Sequence, residues 1–136
     1  MEQTFTLPLI SGYTAAGLGL FQVSLMMTVG FARRALKVSL GDGGDELLSH
    51  KIRRHGNLAE NSALFLVLIA LLETSGGSQN IVLGLAVVFT LARLSHAYAL
   101  SGPDKPVVAR AMGAMGTAIG ISGTAGALVW QLSMVQ

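Results

Sequence analysis

Four apolar segments, residues 7–31, 53–72, 80–100 and 107–132, dominate the pattern of hydrophobic and polar positions, and short polar stretches separate them. Each reaches or nearly reaches the roughly 20 residues that a helix needs to cross the hydrocarbon of a bilayer. The apolar runs are continuous instead of alternating, which favours helices over the strands of a membrane β-barrel. The joints carry turn chemistry. Gly41-Asp42-Gly43-Gly44-Asp45 breaks the first helix before Glu46 and Leu47 begin the next, Ser75-Gly76-Gly77-Ser78 makes a flexible connector, and Ser101 to Pro106 makes a tight turn. Pro106 is suited to the first turn of the fourth helix. The pattern predicts an all-α, integral membrane four-helix up-and-down bundle, with residues 1–136 forming a single transmembrane domain. Any site must then be built from helix ends and short loops.

Composition supports this. Of the 136 residues 51% are hydrophobic and 12% charged, too apolar a balance for a small soluble core. The first segment lacks a basic leader and is long for a secretory signal, so it is expected to be a retained span. Cysteine is absent. The chain therefore offers no disulfide, no thiolate nucleophile and no iron–sulfur ligands, and any thiol chemistry must use a thiol brought by a substrate.

The net charge of +2 says less than its distribution. Arg33, Arg34, Lys37, Lys51, Arg53 and Arg54 cluster between the first two spans, and Lys105 and Arg110 flank the third connection, whereas the Glu73 to Gln79 loop and both termini carry no Lys or Arg. By the positive-inside rule both termini lie outside and the two basic loops in the cytoplasm. Topology accounts for the basic patch without nucleic acid. Gly113, Gly116, Gly120, Gly123 and Gly126 recur at three- and four-residue spacing in the fourth span, as expected for close helix packing. His50, His55 and Glu46 lack the spacing of a metal site, so no metal is expected.

Charge also stands at membrane depth. On a helix Arg53, Asn57 and Glu60 share one face by their i, i+4, i+7 spacing. Arg93 lies inside the third span, where an isolated charge costs at least about 2.5 kcal/mol, and His96 follows three residues later. One reading pairs Arg93 with Glu60, with Asn57 and His96 completing the hydrogen bonds, as glue between the second and third helices. Against it stands the count: Arg33, Arg53, Arg93 and Arg110 all reach one half of the bundle, with Glu60 the lone strong counter-ion there. A surplus of positive charge in a pocket points to an anionic ligand, and Glu60 is then available to hold an ammonium group on that ligand.

The stretch Arg53-x-His55-x-Asn57-x-x-Glu60, followed by an apolar helix, resembles the second-helix signature of the family of membrane-associated proteins in eicosanoid and glutathione metabolism, and of microsomal glutathione transferase within it. Ala92-Arg93-Leu94-Ser95-His96 resembles the family's third-helix motif, Val38 to Gly44 resembles the loop of its bacterial members, and Arg110 falls where its fourth helix carries an arginine.

The resemblance implies a homotrimer in a bacterial inner membrane that binds glutathione at subunit interfaces on the cytoplasmic side. It implies a glutathione S-transferase or peroxidase acting on hydrophobic electrophiles or lipid hydroperoxides. Carried over residue by residue, Arg33, Arg53, His55, Asn57, Glu60, Arg93 and His96 form the glutathione-binding shell. Arg110 stands by the sulfur, where a cation favours the thiolate. The chain departs from animal members at Leu100 and Ala114, where those carry tyrosine, at Ala111, where some carry serine, and at Ala63, where proline is usual. The alternative is a non-catalytic transporter subunit or assembly partner in which Arg93, Glu60 and Asn57 are polar glue.

Overall fold

The structure, a computed structural model, describes residues 7–134. Four helices follow one another: α1 (Leu9–Leu36), α2 (Glu46–Thr74), α3 (Gln79–Ala99) and α4 (Val107–Met134). All four are long and apolar enough to cross a membrane. Among the described residues there is no strand. The fold is an all-helical four-span bundle.

Two helices run beyond their apolar segments. α1 continues five residues past Phe31, and its last turn holds Arg33 and Arg34, cations that complement the helix C-terminus. Lys37 closes that end in the left-handed conformation, with φ of 55°. α2 begins at Glu46, seven residues before the apolar run, because Asp45 caps it by accepting from the Leu48 N–H at 2.7 Å, and Leu48 is fully buried. The extra turns carry Ser49 and His50 on a regular helix that runs straight into Arg53.

α3 and α4 form the most extensive contact, whereas α1 packs on α2 and α3 and does not reach α4. The core runs through Leu18 and Leu25 of α1, Leu58, Phe65 and Ile69 of α2, and Val82, Ala86 and Phe89 of α3. Phe65 and Phe89 stack at 3.8 Å between ring centres and 3° between planes, fixing α2 against α3. Many large apolar side chains point outward, among them Leu20, Leu64, Val67 and Ile119. Lipid or another copy of the chain, not water, suits those faces.

The glycines of α4 divide into two groups. A Cβ on Gly113 would lie 2.6–2.8 Å from His96 Cβ, Cα and N, and one on Gly116 would lie 2.7 Å from Ala92 Cβ, so α4 rests directly on the backbone of α3 there. Gly126 has nothing within 4 Å of that position. Close packing explains the first part of the glycine series and not its end.

At the end of the bundle holding the α2–α3 connection, Glu73 is buried. Its carboxylate accepts from the N–H of Ile10 at 2.9 Å, from the N–H of Ser11 at 2.7 Å and from the Ser11 hydroxyl at 2.7 Å. α1 starts with unsatisfied N–H groups and a positive dipole end, and α2 supplies the anion that meets both. Glu73→Ala should therefore lower stability by about 2 kcal/mol, and Glu73→Gln by less, since its amide oxygen still accepts. Thermal unfolding in detergent measures this, and equal losses for the two variants would contradict a charge-based cap.

Candidate functional site

The polar side chains at membrane depth gather where α2, α3 and α4 meet. Arg93 is only 3% exposed. It donates to Asn57 Oδ1 at 2.5 Å, to the Gly113 carbonyl at 3.0 Å, and to the Thr117 hydroxyl. Its guanidinium also stands 5.6 Å from the Phe89 ring centre. Every one of these partners is neutral. A planar fork of donors matched to three dipoles holds the charge at depth and ties three helices together. The expected Arg93–Glu60 ion pair is not formed: Asn57, Gly113 and Thr117 occupy the donors, and Glu60 is exposed on the adjoining surface.

Beside this network opens a cleft of about 650 Å³ in which Arg53, Asn57 and Glu60 of α2 face His96 of α3 and Arg110 of α4. Helical spacing places the three α2 residues on one stripe. The α3–α4 turn returns the chain so that Arg110 meets them, and the Ser95 hydroxyl pins the start of α4 by donating to the Ala109 carbonyl at 2.9 Å. His50 and Leu100 complete the rim. Arg53, Glu60 and Arg110 are exposed side chains and make no hydrogen bonds to the rest of the chain among the described residues. Two arginines and one carboxylate therefore face the cleft with their hydrogen-bonding groups uncommitted.

A smaller, shallower recess of about 280 Å³ adjoins the cleft, sharing Asn57 and His96 with it, and runs along α4 past Ala114 to Ser122. Arg93 lines this recess and not the cleft. Arg33 and His55 line neither. Arg33 sits half-buried at the end of α1, and the His55 carbonyl accepts from Gln22 Nε2 at 3.4 Å across the α1–α2 contact.

The acidic residues of the α1–α2 loop make their hydrogen bonds to the loop and the helix cap, not to the arginines. Asp45 is spent on its helix cap, and the Asp42 carboxylate accepts from the Gly44 N–H at 3.0 Å. That hydrogen bond holds the Asp42 carboxyl below its ordinary 3.8, with the Ser49 hydroxyl and, more weakly, Arg33 acting in the same direction. Basic side chains still outnumber carboxylates at this end, which leaves a surplus of positive charge around the cleft.

Over residues 11–130, most of its length, the chain matches the MAPEG family. It belongs to that family. No curated protein and no solved structure matches it.

As a MAPEG protein the chain carries its Arg53-to-Glu60 stripe on α2 and its Arg93 to His96 stretch on α3, with Arg110 one turn into α4. Glutathione use is general in the family, which contains both transferases and peroxidases. Several contributors lay beyond the sequence reading. Thr117 and the Gly113 carbonyl were hidden because a threonine and a glycine in an apolar helix look like packing residues. His50 precedes the apolar run by three residues, and Asn61 and Ser122, which line the recess, carried no motif. Among the described residues no His, Asp and Glu side chains converge as metal ligands.

Proposed function

We propose that this MAPEG protein is a glutathione-dependent membrane transferase or peroxidase, and that glutathione lies in the cleft between α2, α3 and α4. The observation that carries the proposal is the charge pattern there: Arg53 and Arg110 with one carboxylate, Glu60, facing the same cleft. Glutathione presents two carboxylates, one ammonium group and a thiol. Glu60 takes the ammonium, Arg53 takes a carboxylate, and Asn57 and His96 supply neutral hydrogen bonds. Arg110 stands near the sulfur. A cation there lowers the thiol pKa from about 8.5 and raises the fraction of thiolate, the nucleophile.

The thiolate then attacks an electrophilic carbon, forming the S–C bond while a leaving group departs with its electron pair or a conjugated double bond accepts the pair. With a lipid hydroperoxide it attacks the O–O bond, releasing the alcohol and a sulfenic acid, and a second glutathione yields disulfide and water. Apolar acceptors reach the sulfur from the bilayer. The active form is a homotrimer with the basic end cytoplasmic and both termini outside, in a bacterial inner membrane. Arg33 and His55 join the glutathione shell only across the interface between copies, since neither lines the cleft of a single protomer.

One observation favours a structural role for one residue. Arg93 already spends its Nη donors on Asn57, Thr117 and Gly113, with Nε left over. We therefore assign Arg93 to holding Asn57 and α4 in place, and so to shaping the cleft through Asn57.

Calorimetric titration of glutathione, and of its analogue lacking the thiol, into the detergent-purified protein tests the proposal. Saturable binding of both is expected. A folded, oligomeric protein that binds neither at millimolar concentration would overturn it.

A further inference from the structure

The recess beyond the cleft is more polar than its depth requires. From Arg110 to Ser122 is twelve residues along α4, roughly 18 Å of helix, so the far end of the recess lies well inside the hydrocarbon. Its walls are small and apolar at Ala114, Ala118 and Ile121, yet Asn61 and Ser122 also face it. Many hydroxyl groups on these helices are satisfied by their own backbone, although the buried Ser62 hydroxyl has no partner. Thr14, Ser24, Thr28, Thr74, Thr117, Thr124 and Ser133 each donate to a carbonyl three or four residues earlier. Ser122 makes no such bond among the described residues. Asn61 commits its Nδ2 to the Asn57 carbonyl at 2.9 Å, which leaves Oδ1 uncommitted. One donor-acceptor hydroxyl and one amide oxygen thus line a recess that adjoins the charged cleft. Polar groups at membrane depth face cavities or partners, because lipid offers them nothing.

We propose that Asn61 and Ser122 determine which acceptors the enzyme takes: apolar molecules that carry a second, hydrogen-bonding oxygen group remote from the reacting atom, placed in the recess while the reacting atom meets the glutathione sulfur. The inference rests on the function proposed above and adds a substrate preference to it. Ser122 donates to and accepts from the remote oxygen, and Asn61 Oδ1 accepts from it when that oxygen is a hydroxyl. An acceptor of the same shape without the oxygen makes neither hydrogen bond, and the discrimination follows from that loss.

A matched pair of acceptors tests this: a medium-chain alk-2-enal and its ω-hydroxy analogue. In both, the thiolate forms a bond to the β-carbon, the π pair moves to the carbonyl oxygen as an enolate, and a proton returns to the α-carbon. The oligomeric protein in nanodiscs should show kcat/KM about tenfold higher for the ω-hydroxy compound. Asn61→Leu together with Ser122→Ala should bring that ratio to about one, chiefly through KM for the hydroxylated acceptor, while the glutathione Kd measured by calorimetry keeps its wild-type value. Equal kcat/KM for the two aldehydes in the wild type would overturn the preference and leave the transferase intact. The same ratio in variant and wild type would overturn the assignment to these residues. A variant whose oligomer falls apart, and in which Ser122→Thr does not restore the ratio together with assembly, would mark the two residues as helix-contact groups and overturn it as well. Absence of glutathione-dependent turnover with any acceptor would refute the proposed function, and this inference with it.

Discussion

Gly113→Ala should destabilise the bundle by about 3 kcal/mol, the upper end of the usual range for overpacking. The added methyl would stand 2.6 Å from His96 Cβ and 2.8 Å from its backbone N and Cα. Backbone inside a helix cannot rotate aside as a side chain can, so α4 must move off α3. That movement also displaces the Gly113 carbonyl and the Thr117 hydroxyl from Arg93, leaving a buried guanidinium short of partners. Gly126→Ala, in the same helix with open space around it, should change stability little. Unfolding of both variants in detergent, followed by circular dichroism, makes the comparison. Similar behaviour of the two would contradict the close α3–α4 approach at Gly113.

The second large effect separates chemistry from binding. Arg110→Ala is expected to lower kcat about a hundredfold while changing the glutathione Kd little, because a cation beside the sulfur stabilises charge on the thiolate more than it holds the tripeptide. Glu60→Ala is expected to do the reverse, raising Kd by about tenfold to a hundredfold through loss of a charge-assisted bond to the ammonium. Both side chains are exposed at the cleft and support no core residue, so both variants should fold. Steady-state kinetics with calorimetry in parallel reads the two constants separately. Full activity in both variants would remove these residues from the site.

Much of this architecture is legible in the sequence. Four apolar runs are enough to announce four spans, since hydrocarbon leaves the backbone almost no other option. The lengths were less legible. α2 gains its first seven residues from the Asp45 cap and the burial of Leu48, signals that a hydropathy window does not weigh. Glu73 fell just past the second apolar run, and only the return of α1 to that end of the bundle shows that its carboxylate has a helix terminus to meet. The stripe Arg53, Asn57, Glu60 was readable because spacing fixes which residues share a helical face.

Which face meets which neighbour is a different matter. One reading of the sequence paired Arg93 with Glu60, but the relative rotation of α2 and α3 brings Asn57 to it instead, and α4 adds Thr117 and a carbonyl. The glycines behave differently: at 3.6 residues per turn Gly126 stands about 140° round the helix from Gly113, so the side of α4 that meets α3 at Gly113 has turned away at Gly126, which faces open space. Asn61 follows Asn57 at i+4 but carries no charge to draw notice, and Ser122 sits among apolar residues; their meaning comes from a recess whose walls belong to different helices.

The central claim is that this MAPEG protein binds glutathione and holds it as the thiolate. Ultraviolet difference spectroscopy on the purified oligomer at neutral pH tests both parts at once. Saturating glutathione should produce the thiolate absorbance band in the wild type, and Arg110→Ala should lose most of it while still binding the tripeptide. A wild-type protein that shows no thiolate band at saturating glutathione would contradict the account.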